Sequence, residues 1–165
     1  MIARLWQRIA NLMAHGTISR LDDTGGVQKA QIQVGYLEVH DDVRVLQHFG
    51  IATTPPLGSD VVCLFFGGDR TNGLIVGHGD ASTRPTGQGP GEATLYNAHG
   101  MSVVLAAAGI VINSGGLPVL CNGDLRVTGT ITAGFGGADA VSLQTHRHGG
   151  VQSGGGSTAA PTAGT

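Results

Sequence analysis

Hydrophobic positions along this chain change their spacing several times. In residues 1–15, Ile2, Leu5, Trp6, Ile9, Leu12 and Met13 recur at i, i+3, i+4 and i+7, the spacing of one helix face. This predicts an N-terminal amphipathic helix, with Gly16 placed to end it. A helix so short is marginal alone. It has to dock on its own domain or on a neighbouring subunit. A membrane surface is the sharper alternative, but it usually selects a more basic polar face.

Residues 16–80 switch to a period of two. Thr17-Ile18-Ser19-Arg20 alternate, Asp22 to Gly26 make a turn, and Val27 to Val39 alternate again through Ala30, Ile32, Val34 and Tyr36. Val43 and Val45 begin a further strand. Val61 to Phe66 is an unbroken apolar run, as expected of a strand buried on both faces. Gly67 to Gly73 return the chain, and Leu74 to Gly77 pair back. About five strands in this span predict a five-stranded Greek-key barrel of OB type. Residues 81–91, with Pro85, Pro90 and three glycines, read as a linker.

Residues 92–145 have a third texture. Apolar pairs are short: Val103 and Leu105, Ile110 and Ile112, Leu117 and Val119, Leu125 and Val127, then Ile131, Val141 and Leu143. Glycines at 109, 116, 123 and 129 punctuate them, which resembles the spacing of a short-strand solenoid. Such runs cannot close a core within one chain. Three interleaved chains could share an apolar axis and pair every strand edge. The expected fold is therefore all-β with a short N-terminal helix: a barrel, then an intertwined trimeric β-helix stem.

Residues 146–165 follow, beginning in Thr145-His146-Arg147-His148-Gly149-Gly150. If Val141 to His148 is extended, His146 and His148 share a face, roughly 7 Å apart, and Arg147 points away. Two imidazoles can grip an ion from one side without completing its shell. No Cys, Asp or Glu follows Asp139, so the other ligands are water or further copies of the chain. Three copies would give six nitrogens in an octahedral shell, which suits iron(II) or nickel better than zinc. The plain alternative is a pair of solvated histidines in a loose tail. The glycines after His148 fit either a loose end or a cap that folds back over the metal.

Composition narrows the classes. Glycine is 29 of 165 residues and charged residues are 12%, against typical values of about 7% and about 25%. Scarce aromatics, at 4%, suit a thin repetitive β structure. A net charge of −2 leaves no broad basic face for nucleic acid. Phe65 and Phe66 read as core residues rather than base-stacking platforms. No apolar run approaches the ~18 residues of a membrane span, and Arg4 and Arg8 interrupt any secretory pattern. Cys63 and Cys121 read as small packed hydrophobes. His40, His48, His78 and His99 read as isolated loop or surface residues. No enzyme is expected, because the only carboxylates after Glu92 are Asp124 and Asp139, and six protein ligands leave a metal no open position.

The chain resembles the baseplate assembly proteins that form the central spike of contractile-tailed phages, especially the Mu-like type. The N-terminal helix, the barrel segment Phe65-Phe66-Gly67-Gly68-Asp69-Arg70-Thr71-Asn72-Gly73, the glycine-rich stem and the ending Thr145 to Gly156 carry the resemblance. It implies a homotrimer with an OB-type domain, a triple-stranded β-helix and one tip iron (Fe2+) per trimer, held by His146 and His148 of each chain. It extends to calcium and chloride in the stem, where Asp139 and Ser142 are polar candidates. The implied role is a membrane-piercing spike at the tail baseplate tip of the virion, assembled in the host cytoplasm. Its implied partners are baseplate hub and tail tube proteins and the host outer membrane. The alternative is a trimeric fibre or adhesin tip that binds a host surface glycan.

Overall fold

Alternating side chains close the first half of the chain into a barrel. The computed structural model describes residues 2–146, and the chain divides into two units, 1–118 and 119–165. The first holds helix α1 (Ile2–Ala10), strands β1 (Met13–Asp22), β2 (Lys29–Val34), β3 (Glu38–Val45), β4 (Asp60–Phe65) and β5 (Gly73–Gly79), and then β6 (Ala93–Tyr96), β7 (Ser102–Ala106) and β8 (Gly109–Asn113). The second holds β9 (Thr132–Ala133) and β10 (Val141–Ser142). Among the described residues no helix is long and apolar enough to cross a membrane.

The barrel order is β1-β2-β3-β5-β4, closed because β1 pairs with both β2 and β4. All neighbours are antiparallel except β3 and β5. Register slips at Ile18/Arg20, Ala30/Ile32 and Val62/Cys63 bend the strands as closure requires. The core is Ile18, Ala30, Ile32, Val43, Val45, Val61, Cys63, Phe65 and Ile75.

Several expectations shift. The helix is shorter than 1–15: it ends at Ala10, and the chain is already extended at Met13. Gly16 does not cap it. It sits inside β1 with its Cα against the Gln33 carbonyl oxygen, where a Cβ would collide. The run from Val27 to Val39 is two strands, because Gly35, at φ 65°, turns the chain before Tyr36. β4 is buried on one face only: Val61, Cys63 and Phe65 point inward, while Val62 faces out. Phe66 leaves the strand for a single 3-10 turn (Phe66–Gly68) and is half exposed, so only Phe65 fills the core. Cys63 is buried, but Cys121 is exposed and not packed. Replacing Gly16 with alanine is expected to prise β1 from β2 and cost about 1–3 kcal/mol of barrel stability, read from the denaturant midpoint.

β6, β7 and β8 form a separate antiparallel meander. Its register gathers large apolar side chains on one face. Leu95 lies opposite Val103, Val103 opposite Ile112, and Leu105 opposite both Ala93 and Ile110. That face is wholly apolar, and Leu95, Leu105, Ile110 and Ile112 are exposed within one chain. The other face is mixed: Thr94, Val104 and Val111 lie side by side across it, next to Tyr96, Ser102 and Asn113, with Asn113 donating to Ser102 at 3.0 Å. Glu92 anchors the sheet's start. Its carboxylate accepts the backbone N–H of Gly89 at 2.9 Å and of Ala107 at 3.1 Å, which lowers its pKa.

Candidate functional site

The segment that leads to the histidines is built by a short hairpin. Val141 pairs with Ala133 and Ser142 with Thr132. Gly134 and Gly136 take positive φ in the loop between them, with the Asp139 carboxylate lying beside Gly134 and Gly137. Gln144 then clamps the hairpin. Its side-chain N–H donates to the Gly129 carbonyl at 2.9 Å, and its Oε1 accepts from Ile131 N–H at 3.2 Å. Leu143 N–H donates to Ile131 at 2.8 Å.

Beyond Ser142 the chain turns. Leu143 to Thr145 are a turn rather than a strand, and His146 N–H reaches back to the Ser142 carbonyl at 3.0 Å. The premise of an extended run from Val141 to His148 therefore fails for residues 143–145. The reason is local: the Gln144 side chain and the Ser142 carbonyl take backbone hydrogen bonds that a neighbouring strand would otherwise make. His148 lies outside the described residues.

His146 has one ring nitrogen engaged by the backbone. Its Nδ1 lies 3.0 Å from the Leu143 carbonyl oxygen. A carbonyl only accepts, so the contact is a hydrogen bond when Nδ1 carries the proton, and the lone pair then sits on Nε2. Metal-bound imidazoles generally use their second nitrogen in this way. The donor chemistry thus fits an ion that prefers nitrogen. Among the described residues no three His, Cys, Asp or Glu side chains come together within one chain. The two stem candidates are differently placed: Ser142 Oγ hydrogen-bonds Gln144 Oε1 at 3.3 Å, whereas Asp139 lies against the glycine turn.

A second polar cluster escaped the sequence reading. His40 is not a loop or surface residue. It lies in β3 with its side chain 13% exposed, and its Nε2 sits 2.6 Å from Glu38 Oε1. Arg70, from the connection after β4, binds the same carboxylate through Nε at 2.9 Å and Nη2 at 3.1 Å. Its guanidinium lies 4.5 Å from the centre of the Phe65 ring, and His40 packs against that ring at 4.9 Å. Alternation does place Glu38 and His40 on one strand face, but nothing local in the sequence announces Arg70, 32 positions away.

The His40 hydrogen bond and then the Arg70 charge hold Glu38 below the usual glutamate range. A depressed carboxyl pKa stabilises the fold above the unfolded value, near 4.3, and that stability is lost as pH falls through the folded value. The barrel's thermal midpoint should therefore drop as pH is lowered through and below that range. Glu38→Gln should lower the midpoint at neutral pH and flatten part of the acid dependence, as a melting series from neutral to acid pH will read.

Two family models match this chain. One, described as Bacteriophage Mu Gp45, N-terminal, matches residues 16–82. The other, the GpV Apex motif, matches 140–162, which spans both histidines. Over these two stretches the chain is similar to the Mu Gp45-like baseplate spike proteins. Among curated relatives, "Baseplate puncturing device gp45" of Escherichia phage Mu is 28% identical over 109 residues, covering 66% of this chain and 55% of the relative. "Mu-like prophage FluMu protein gp45" of Haemophilus influenzae is 31% identical over 113 residues, covering 68% of this chain and 62% of the relative. The matched stretch thus spans between half and two thirds of each relative's length.

Proposed function

We propose that three copies of this chain form the central spike at the tip of a contractile phage tail, in the virion baseplate, and that the spike is driven through the host outer membrane. The role is structural. The observation that carries the reading is the apex motif over 140–162, with His146 and His148 inside it, on a chain whose barrel segment matches the Mu Gp45 family. The Mu relative is named for puncturing.

The barrel's strand order, with β3 running parallel to β5, supports an OB-type domain. The bare apolar face of β6–β8 supports a trimer. A sheet face of Leu, Ile and Val exposed to water is unfavourable by roughly 25 cal/mol per Å², and a second and third copy are the surfaces available to every copy alike. Leu120, Leu125 and Val127 are likewise exposed within one chain, which supports a stem whose strands, as a triple-stranded β-helix, come from three chains.

His146 and His148 of each copy would hold one iron ion at the apex. The ion supplies binding energy that exists only when three chains are together. A piercing device needs a point that does not fray, and a shared structural ion meets that need. Calcium or chloride in the stem would draw on Asp139 and Ser142. Light scattering with elemental analysis tests the reading. The expected result is a trimer carrying one iron; a metal-free monomer at micromolar concentration overturns it.

A further inference from the structure

One charged group in the barrel wall lacks an acceptor. Arg70 commits Nε and Nη2 to the Glu38 carboxylate, at 2.9 and 3.1 Å. Its Nη1 is buried, and no hydrogen-bond partner reaches it among the described residues. A buried donor on a charged group that makes no bond keeps its whole desolvation cost, so native folds rarely leave one. The side chain is held where it is. Its guanidinium stacks on Phe65, and the connection that carries it is fixed on both sides. Gly68 lies so close to the Arg8 carbonyl that a Cβ there would collide with it, which seats α1 on this connection, while Ile2, Leu5, Trp6 and Ile9 stay exposed. Asp69 accepts from both the N–H and the hydroxyl of Thr71.

Arg70 borders a cavity of about 460 Å³. It lies at the seam between β3 and β5, which pair only at Arg44–Leu74 and Val45–Ile75. Just before that pairing β3 bulges. Ile32 lies opposite His40 and Ala30 opposite Val43, so two residues, Asp41 and Asp42, oppose one. Asp42 takes φ 54°, and among the described residues no other non-glycine residue has positive φ. Backbone strain of this kind persists where its surroundings hold it, and it clusters at ligand sites. Lys29, Arg44, Thr71 and Asn72 also line the cavity.

The charges around it leave one cation over. Asp41 and Asp42 line the cavity too, but Asp41 pairs with Arg20 at 2.8 Å and Asp42 lies 3.9 Å from Lys29. Glu38 belongs to Arg70 and His40. Each carboxylate thus has a cation of its own. Arg44, opposite Lys29 in the β2–β3 ladder, has no ion pair among the described residues. One spare cation and one buried, unpartnered guanidinium nitrogen therefore share a cavity. We propose that this cavity binds a small oxyanion, of the phosphate or carboxylate class, between Arg70 Nη1 and the Arg44 guanidinium. Guanidinium donors match the several acceptor oxygens of such an ion, which a halide does not offer. The bound ion bridges β3 and the connection after β4 where the β3–β5 ladder stops. The site belongs to the barrel and stands whether or not the chain is a spike.

The test titrates the full chain, in Tris–chloride buffer at constant ionic strength, with inorganic phosphate and separately with sodium acetate, read by calorimetry. Two charge-assisted hydrogen bonds predict a dissociation constant of about 1 mM for one of the two ions, and the tighter one names the class. The barrel's thermal midpoint should rise with that ion's concentration, as mass action requires. Arg44→Gln, at an exposed strand position, should weaken binding about fivefold, the weight of one exposed ion pair, with the far-UV spectrum unchanged. Arg70→Lys keeps the charge but removes Nη1, and should weaken it about tenfold or more. If Arg70→Lys unfolds the barrel, Arg44→Gln decides alone. No saturable binding of either ion up to about 20 mM, well above that constant, overturns the proposal. So does binding that the substitutions leave unchanged, which puts the ion elsewhere. A midpoint that rises as much with added chloride also overturns it, because the effect is then a halide's or one of screening.

Discussion

Ile110→Asp is expected to convert the trimer into monomers while leaving the barrel folded. Ile110 is 70% exposed in a single chain and lies opposite Leu105 on the wholly apolar face of β6–β8. In the proposed trimer that face would form part of the shared interface. Burying the residue contributes on the order of 1–2 kcal/mol per chain. An unpaired carboxylate there costs several more, and the change is made three times. At about 1.4 kcal/mol per tenfold, the assembly constant should fall by several orders of magnitude. The barrel core is built from Ile18 to Ile75 and contains no residue of this sheet, so its denaturation midpoint should move little. Sedimentation or light scattering at micromolar concentration reads the result, and Asn113→Asp, beside Ser102 on the opposite face, is the control. A trimer that survives Ile110→Asp would show that this face is not the interface.

Alanine at both His146 and His148 is expected to remove the apex ion altogether, from about one iron per trimer to none. Structural metal sites contribute on the order of 10 kcal/mol, and here that energy would be shared by three chain ends. Their loss should leave the stem's far end open to proteolysis while the barrel melts as before. His146→Ala alone should do nearly as much, because it removes three ligands at once. The Leu143 carbonyl that holds its Nδ1 belongs to the backbone and survives the change. Elemental analysis with limited proteolysis reads both effects. Full iron content in the double variant would refute the ligand assignment.

Much of the barrel was legible because its signal is local. Ile18, Ala30, Ile32, Val43, Val45 and Val61 alternate with polar or outward neighbours, and all of them are core. Where the reading slipped, a local rule met a competing contact. Gly16 looks like a helix stop by position, yet it is needed where β1 presses on the Gln33 carbonyl. Val61 to Phe66 looks like a doubly buried strand by composition, yet a five-stranded barrel wall in one chain has only one inside. His40 looked isolated because Phe65, which its ring packs against, and Arg70, which shares Glu38 with it, are remote in sequence. The turn before His146 was not legible, because it is made by the Gln144 side chain bonding back to Gly129 and Ile131.

Periodicity by itself determined that this chain is β-rich after a short helix, which side chains line the barrel, and that the apolar pairs beyond residue 92 are too short to bury one another. Those properties depend on neighbours within a few residues, and the order of residues encodes them directly. Only the tertiary structure decided that β1 closes the barrel by pairing on both edges, that Arg70 joins Glu38 and His40 over Phe65, that one face of β6–β8 is apolar throughout, and that α1 sits on Gly68 with its greasy side outward. Each of these sets residues far apart in the chain at a fixed register. Register is a property of the closed sheet rather than of any single segment.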